Sequence, residues 1–159
     1  MLNRYKGINN MKKFEFQLEK LLSYKGQMLD SELMTLAVLN NQLSEAQHKL
    51  FTLQAEQLQC RAEFENKMLE KTTPATCRMY TFYTEHLKEQ ILNMERTIES
   101  ISAQIDKQIE LIKKLKLETK SLETLKTSRY DEYKKEDLKA AELQLDEFVS
   151  TAKILRKSV

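Results

Sequence analysis

The sequence predicts an all-α protein, a long antiparallel two-helix coiled coil folded as an α-helical hairpin. Three observations carry that expectation. Turn-forming residues are nearly missing, with 2 Gly and 1 Pro among 159 residues, so little of the chain is specialised for reversals. Two long segments repeat apolar residues every seven positions, the signature of helices packing along one seam. Pro74, the single proline, falls between those segments. Composition agrees: Leu, Glu, Lys and Gln are abundant and are good helix formers. With no Trp and an aromatic share of 8%, the chain has little bulk for a thick globular core.

Residues 1–13 read as a polar extension. Gly7 and Asn9-Asn10 interrupt any pattern there, and Met11 would itself serve as a start. The first helix is assigned to 14–70, roughly 57 residues, or about 85 Å at 1.5 Å per residue. One heptad row runs Leu22, Leu29, Leu36, Leu43, Leu50, Gln57 and Phe64. Its companion opens with Lys25 and Glu32, then reads Leu39, Ala46, Leu53 and Cys60. Leu18, Leu21, Leu33 and Leu58 widen the stripe. Gly26 costs about 1 kcal/mol relative to Ala without ending the helix. Propensity alone does not hold a helix of this length in water, so the seam calls for a partner.

The break comes at residues 71–77. Thr72 and Thr73 precede Pro74, which lacks an amide proton and disfavours helical backbone at the residue before it. A new helix can begin near Thr73, with a threonine as cap and Pro74 in the first turn; its regular part is assigned to 78–155. There the rows are Ile91, Ile98, Ile105 and Ile112, and Met94, Ile101, Leu115 and Leu122, with Gln108 and Thr119 as polar interruptions. Reversal at Pro74 sets residues whose numbers sum to about 148 opposite each other: Phe64 with Thr84, Leu36 with Ile112, Leu22 with Lys126. A mainly monomeric hairpin closes both seams within one chain. A kinked continuous helix is the alternative at the hinge, and a parallel dimer would also close the seams.

Past Lys126 the seam fails, with Arg129 and Glu136 where apolar groups are due. A second stripe follows in a shifted phase: Leu138, Ala141, Leu145, Phe148, Ala152 and Leu155. The first helix is exhausted opposite residue 134, so the chain from Lys135 onward overhangs with a bare apolar face. Faces of that kind mark contact surfaces.

Function narrows by exclusion. Lysine and arginine number 26 against 24 acidic residues, and a formal +2 is too slight and too evenly spread to imply a nucleic-acid partner. The densest basic run, Lys113-Lys114-Leu115-Lys116, reads as a solvated helix face. Cys60 and Cys77, even with His48 and His86, lack metal-ligand spacing and are too few for a disulfide framework. No apolar run approaches a transmembrane span and no signal-peptide core is present, which points to a reducing cytosol. Catalysis needs a nucleophile, a base and an oxyanion site around a pocket, and a two-helix rod offers none. Adjacent Asp146 and Glu147 point in different directions. His86, among Tyr80, Phe82 and Tyr83, reads as aromatic packing. Glycine-rich phosphate loops are missing. The expectation is a protein that holds other proteins, with no catalytic, cofactor or metal site. Tyr80, Tyr83, Leu87 and Ile91 share one face at steps of three and four. They read either as coiled-coil core or as a rigid amphipathic contact patch, and the two agree if the patch is half covered.

Three stretches also resemble a known family. They are Phe14-Glu15-Phe16-Gln17-Leu18-Glu19-Lys20-Leu21-Leu22, then Arg78-Met79-Tyr80-Thr81-Phe82-Tyr83 running on to Leu87 and Ile91, and finally Leu145-Asp146-Glu147-Phe148. In that order they resemble the FliJ family, small coiled-coil components of the bacterial flagellar type III export apparatus. The resemblance spans Phe14 to about Leu155; the extension at 1–10 and the hinge proline depart from it. It implies a cytosolic stalk, similar to the γ subunit of rotary ATPases, that serves flagellum biogenesis and hence chemotaxis. Such a stalk works at the cytoplasmic face of the cell membrane. Its implied partners are the flagellar export ATPase hexamer, the cytoplasmic part of the export-gate membrane protein, and export chaperones. The gate-binding patch carries over to Tyr80, Tyr83, Leu87 and Ile91. The ATPase-binding end, which carries both termini, would use Phe14, Phe16, Leu18, Leu138, Leu145, Asp146, Glu147 and Phe148. The stalk of a virulence type III system and a plain structural tether are the alternatives.

Overall fold

A computed structural model of the chain describes residues 13–157, and side chains to 154; the expected extension, apart from Lys13, lies outside the described residues. Two helices make up the described chain, α1 (Glu19–Leu69) and α2 (Pro74–Lys157), of 51 and 84 residues. They pack antiparallel, joined by a tight reversal, so the kinked continuous helix is not formed.

The helix ends follow from local chemistry. Helix α1 starts at Glu19 instead of Phe14. The Glu19 amide closes a turn on the Phe16 carbonyl at 3.0 Å, and the Leu22 amide makes the first helical bond to the Leu18 carbonyl at 2.9 Å. Glu19, in the first turn, suits the positive end of the helix dipole. At the other end the Glu70 amide bonds the Lys67 carbonyl at 3.2 Å, tightening the last turn. Lys71 then adopts a left-handed φ of 62°. Glycine or asparagine usually stands at such a helix stop, and a lysine there costs about 1–2 kcal/mol.

Thr73 caps α2. Its carbonyl accepts from the Cys77 amide at 3.1 Å and its hydroxyl from the Thr76 amide at 3.3 Å. Pro74 therefore occupies the first helical position, where a missing N–H costs nothing. Helix α2 accordingly begins four residues before the assigned 78. Loss of the capping hydroxyl is worth about 1 kcal/mol.

Two compact units divide the chain. In the unit Met28–Lys114 both heptad rows turn inward. Ala46, Leu53 and Cys60 of α1 and Leu87, Ile105 and Ile112 of α2 are buried. Leu53, Cys60 and Leu87 form one buried cluster, with Tyr80, Ile91 and Met94 packed against it. The Phe64 and Tyr80 rings lie 5.4 Å apart, and Cys60 Sγ is 3.7 Å from Thr84 Oγ1. Both pairs sum to 144, one helical turn from the expected 148, so Phe64 faces Tyr80 and Thr84 goes to Cys60. The turn itself, residues 70–73, is the pivot, and Pro74 already belongs to α2. The polar interruption Gln108 donates its amide to the Glu32 backbone carbonyl at 3.0 Å and to that residue's carboxylate. One unmatched seam position thus satisfies another.

The second unit joins the described residues up to Gln27 with those from Leu115. Leu115 is buried, with Leu22 and Leu122 half-buried. Charged seam positions pair across the helices here: Lys25 with Glu118 at 2.7 Å and Lys126 with Glu19 at 2.7 Å. Lys126 therefore meets Glu19, not Leu22. Gly26 lies inside α1, and a Cβ added there would meet nothing within 4 Å.

Candidate functional site

The four residues assigned to the middle patch lie at different depths. Leu87 is 2% exposed, the least accessible of the buried set. Tyr80 and Ile91 are half-buried against the same cluster. Tyr83 alone stands on the surface, 40% exposed, and its phenol donates a hydrogen bond to the Glu56 carboxylate across the seam. That bond, reinforced by desolvation and the carboxylate's charge, raises the Tyr83 pKa above the ordinary 10. The patch is thus core beneath and contact surface above. The packed positions run Tyr80, Thr84, Leu87 and Ile91, so Tyr83, one residue before Thr84, flanks the seam. Phe82 (76% exposed) and Met79 are barer than any of the four. A sequence signal for them existed, since neither falls on a seam row. Beside the patch, Leu58, Phe64, Tyr80 and Thr84 line a shallow groove rimmed by Arg61 and Lys88.

His86 lines one surface depression with Phe82. It is exposed and bonds the Gln90 side chain at 2.8 Å. Among the described residues no group of three or more His, Cys, Asp and Glu could hold a metal ion, and no helix is long and apolar enough to cross a membrane. Cys60 and Cys77 are free thiols.

At the end carrying residue 13, Phe14 is held by aromatic contacts. Its ring sits edge-on to Tyr130 at 5.2 Å and tilted against Tyr133 at 5.7 Å, and the Lys134 ammonium lies 4.8 Å from the Tyr130 centroid. Phe16 is half-buried and Leu18 exposed; together with Phe14, Leu125 and Tyr133 they border a notch. Tyr130 and Tyr133 are not among the site residues expected above, although a pair sum of 148 sets Phe14 opposite residue 134 and their three-residue spacing puts both on one face. Further along α2, Leu138, Leu145 and Phe148 are exposed, as are Ala141, Asp146, Glu147 and Ala152. Leu143, Val149 and Ile154 add exposed apolar surface off the stripe. The side chain of Leu155 lies outside the described ones.

Comparison with known families decides the identity. A family described as "Flagellar FliJ protein" matches residues 14–158. The chain belongs to the FliJ family. No curated protein and no solved structure shows a significant match to it. The family match takes in both surfaces and leaves the first 13 residues out. As a FliJ-family member, the chain is a component of the flagellar type III export apparatus.

Proposed function

We propose that this FliJ-family chain is a cytoplasmic stalk that docks on the hexameric export ATPase and contacts the export gate and its chaperones. Flagellum assembly, and through it chemotaxis, would depend on that stalk, working beside the cell membrane without spanning it. One observation carries the ATPase assignment: residues 138–154 of α2 expose an apolar stripe that α1 does not cover. Phe148 is 73% exposed and Leu145 64%. Burying each large side chain in a partner's groove is worth roughly 1.5–3 kcal/mol. Asp146 and Glu147 flank the stripe and would set orientation against basic groups more than affinity. Phe14, with Tyr130 and Tyr133, and the neighbouring Phe16 and Leu18 extend the contact.

The gate contact is assigned to the face carrying Tyr83, with Tyr80 and Ile91 beneath it and Phe82 and Met79 beside it. Leu87 supports that face from inside the seam. The family description as flagellar favours this system over a virulence one.

Two variants test the ATPase assignment. A chain ending at Lys135 keeps the packed helix pair and loses ATPase binding. In the full chain, Leu145→Ser with Phe148→Ser does the same. Undiminished association with the ATPase in both would refute the assignment.

A further inference from the structure

The exposed stripe on α2 has an internal symmetry that its length alone does not require. Read from either end it runs large, small, large: Leu138, Ala141, Leu145, then Phe148, Ala152 and, by sequence, Leu155. The steps of three and four keep these positions on one helix face. We propose that two copies of this chain pair through that face, antiparallel, about a two-fold axis between residues 146 and 147. In this register Leu145 packs on Phe148 of the second copy and Ala141 on its Ala152. Every contact occurs twice, once in each direction, as an isologous interface demands.

The flanking residues argue for the same register. In an antiparallel pair the positions just outside the seam face their own kind. Val149 then meets Val149 of the second copy, adding apolar contact at the axis. Gln144 meets Gln144 and Asp137 meets Thr151. No like charges oppose one another. A parallel in-register pair would instead set Asp137 beside Glu142 on both sides, which is repulsive.

This pairing does not rest on the ATPase assignment, although it uses the same face. Were both to hold, self-pairing would cover the face that the ATPase needs, and the two would compete.

Sedimentation of the full chain over a wide concentration range tests the proposal. A monomer–dimer equilibrium is expected, and Leu145→Ser with Phe148→Ser should weaken it about a hundredfold or more. With a short bismaleimide, Val149→Cys should cross-link the dimer and Leu138→Cys should not, above the level that the native thiols give in the parent chain. A monomer up to millimolar concentration would overturn the proposal, as would a dimer indifferent to the double serine variant. Cross-linking through Leu138→Cys would mark a parallel pair and overturn the register.

Discussion

Two stretches of α2 carry the same apolar spacing and meet different fates. From Thr84 to Ile112 the three-and-four rows lie against α1, and Leu87, Ile105 and Ile112 are buried. From Leu138 to Ala152 the rows recur, yet every side chain from Leu138 to Ile154 is exposed. Periodicity therefore reports which face of a helix is apolar and says nothing about what covers it. Coverage depends on how far the opposing helix reaches, and α1 is 51 residues long against 84. The packed stretch is the stability of the molecule, and the bare one is available for association.

The sharpest way to break this comparison is to truncate one residue in each stretch. Leu87→Ala empties a site in the buried cluster with Leu53 and Cys60 and should cost about 2–5 kcal/mol. Phe148→Ala, already in water, should change the stability of the isolated monomer by less than about 0.5 kcal/mol. Urea unfolding followed by helicity measures both; equal losses would mean that the stripe is packed in solution.

Tyr83→Ala probes the surface that lies over the packed stretch. If Tyr83 anchors the gate contact, binding to the gate protein should weaken by about 2 kcal/mol while helicity is kept. Loss of binding in proportion to loss of helicity would make the residue structural.

A smaller effect is expected where charges replace apolar groups in the seam. Lys25 and Glu118 are 2.7 Å apart and partly exposed, so a double-mutant cycle with Lys25→Met and Glu118→Gln should give a coupling of about 0.2–1 kcal/mol, falling with salt. Zero coupling at low salt would leave Lys25 without a role in holding the helices.

The smallest effect is in the Tyr83 titration. Its phenol is raised above 10 because the protonated form donates to Glu56. A group raised in the folded state contributes fully below its unfolded pKa, so this contact persists up to about pH 10 and fades as pH climbs through the higher folded value. Phenolate absorbance of the parent chain against Tyr83→Phe isolates the transition. Glu56→Gln should move it down, and a transition that stays put would remove Glu56 as its cause.

Much of the hairpin was legible in the residues. Every position on the two heptad rows from Leu22 to Phe64, the polar Lys25, Glu32 and Gln57 included, is buried or half-buried. The threonine cap with Pro74 in the first turn was also readable. The register was not, because Pro74, the evident breaker in the sequence, already belongs to α2 and the chain reverses in the turn before it, around the left-handed Lys71. Moving the pivot back by two residues lowers the pair sum by four, from 148 to 144. The candidate surfaces were legible only in outline. Spacing grouped Leu87 with Tyr83, and packing separated them, since one lies on the seam and the other on its flank.

The sequence by itself determined that the chain is helical, where it breaks, which face of each helix is apolar and that α2 outruns its partner. These are local properties, set by propensity, capping and a repeat of seven. Tertiary structure alone decided which residues meet: Phe64 with Tyr80, Glu32 with Gln108, Phe14 with Tyr130 and Tyr133. A heptad seam admits several alignments of nearly equal apolar burial, and the choice among them is made by the geometry of the turn and by polar groups that must find partners.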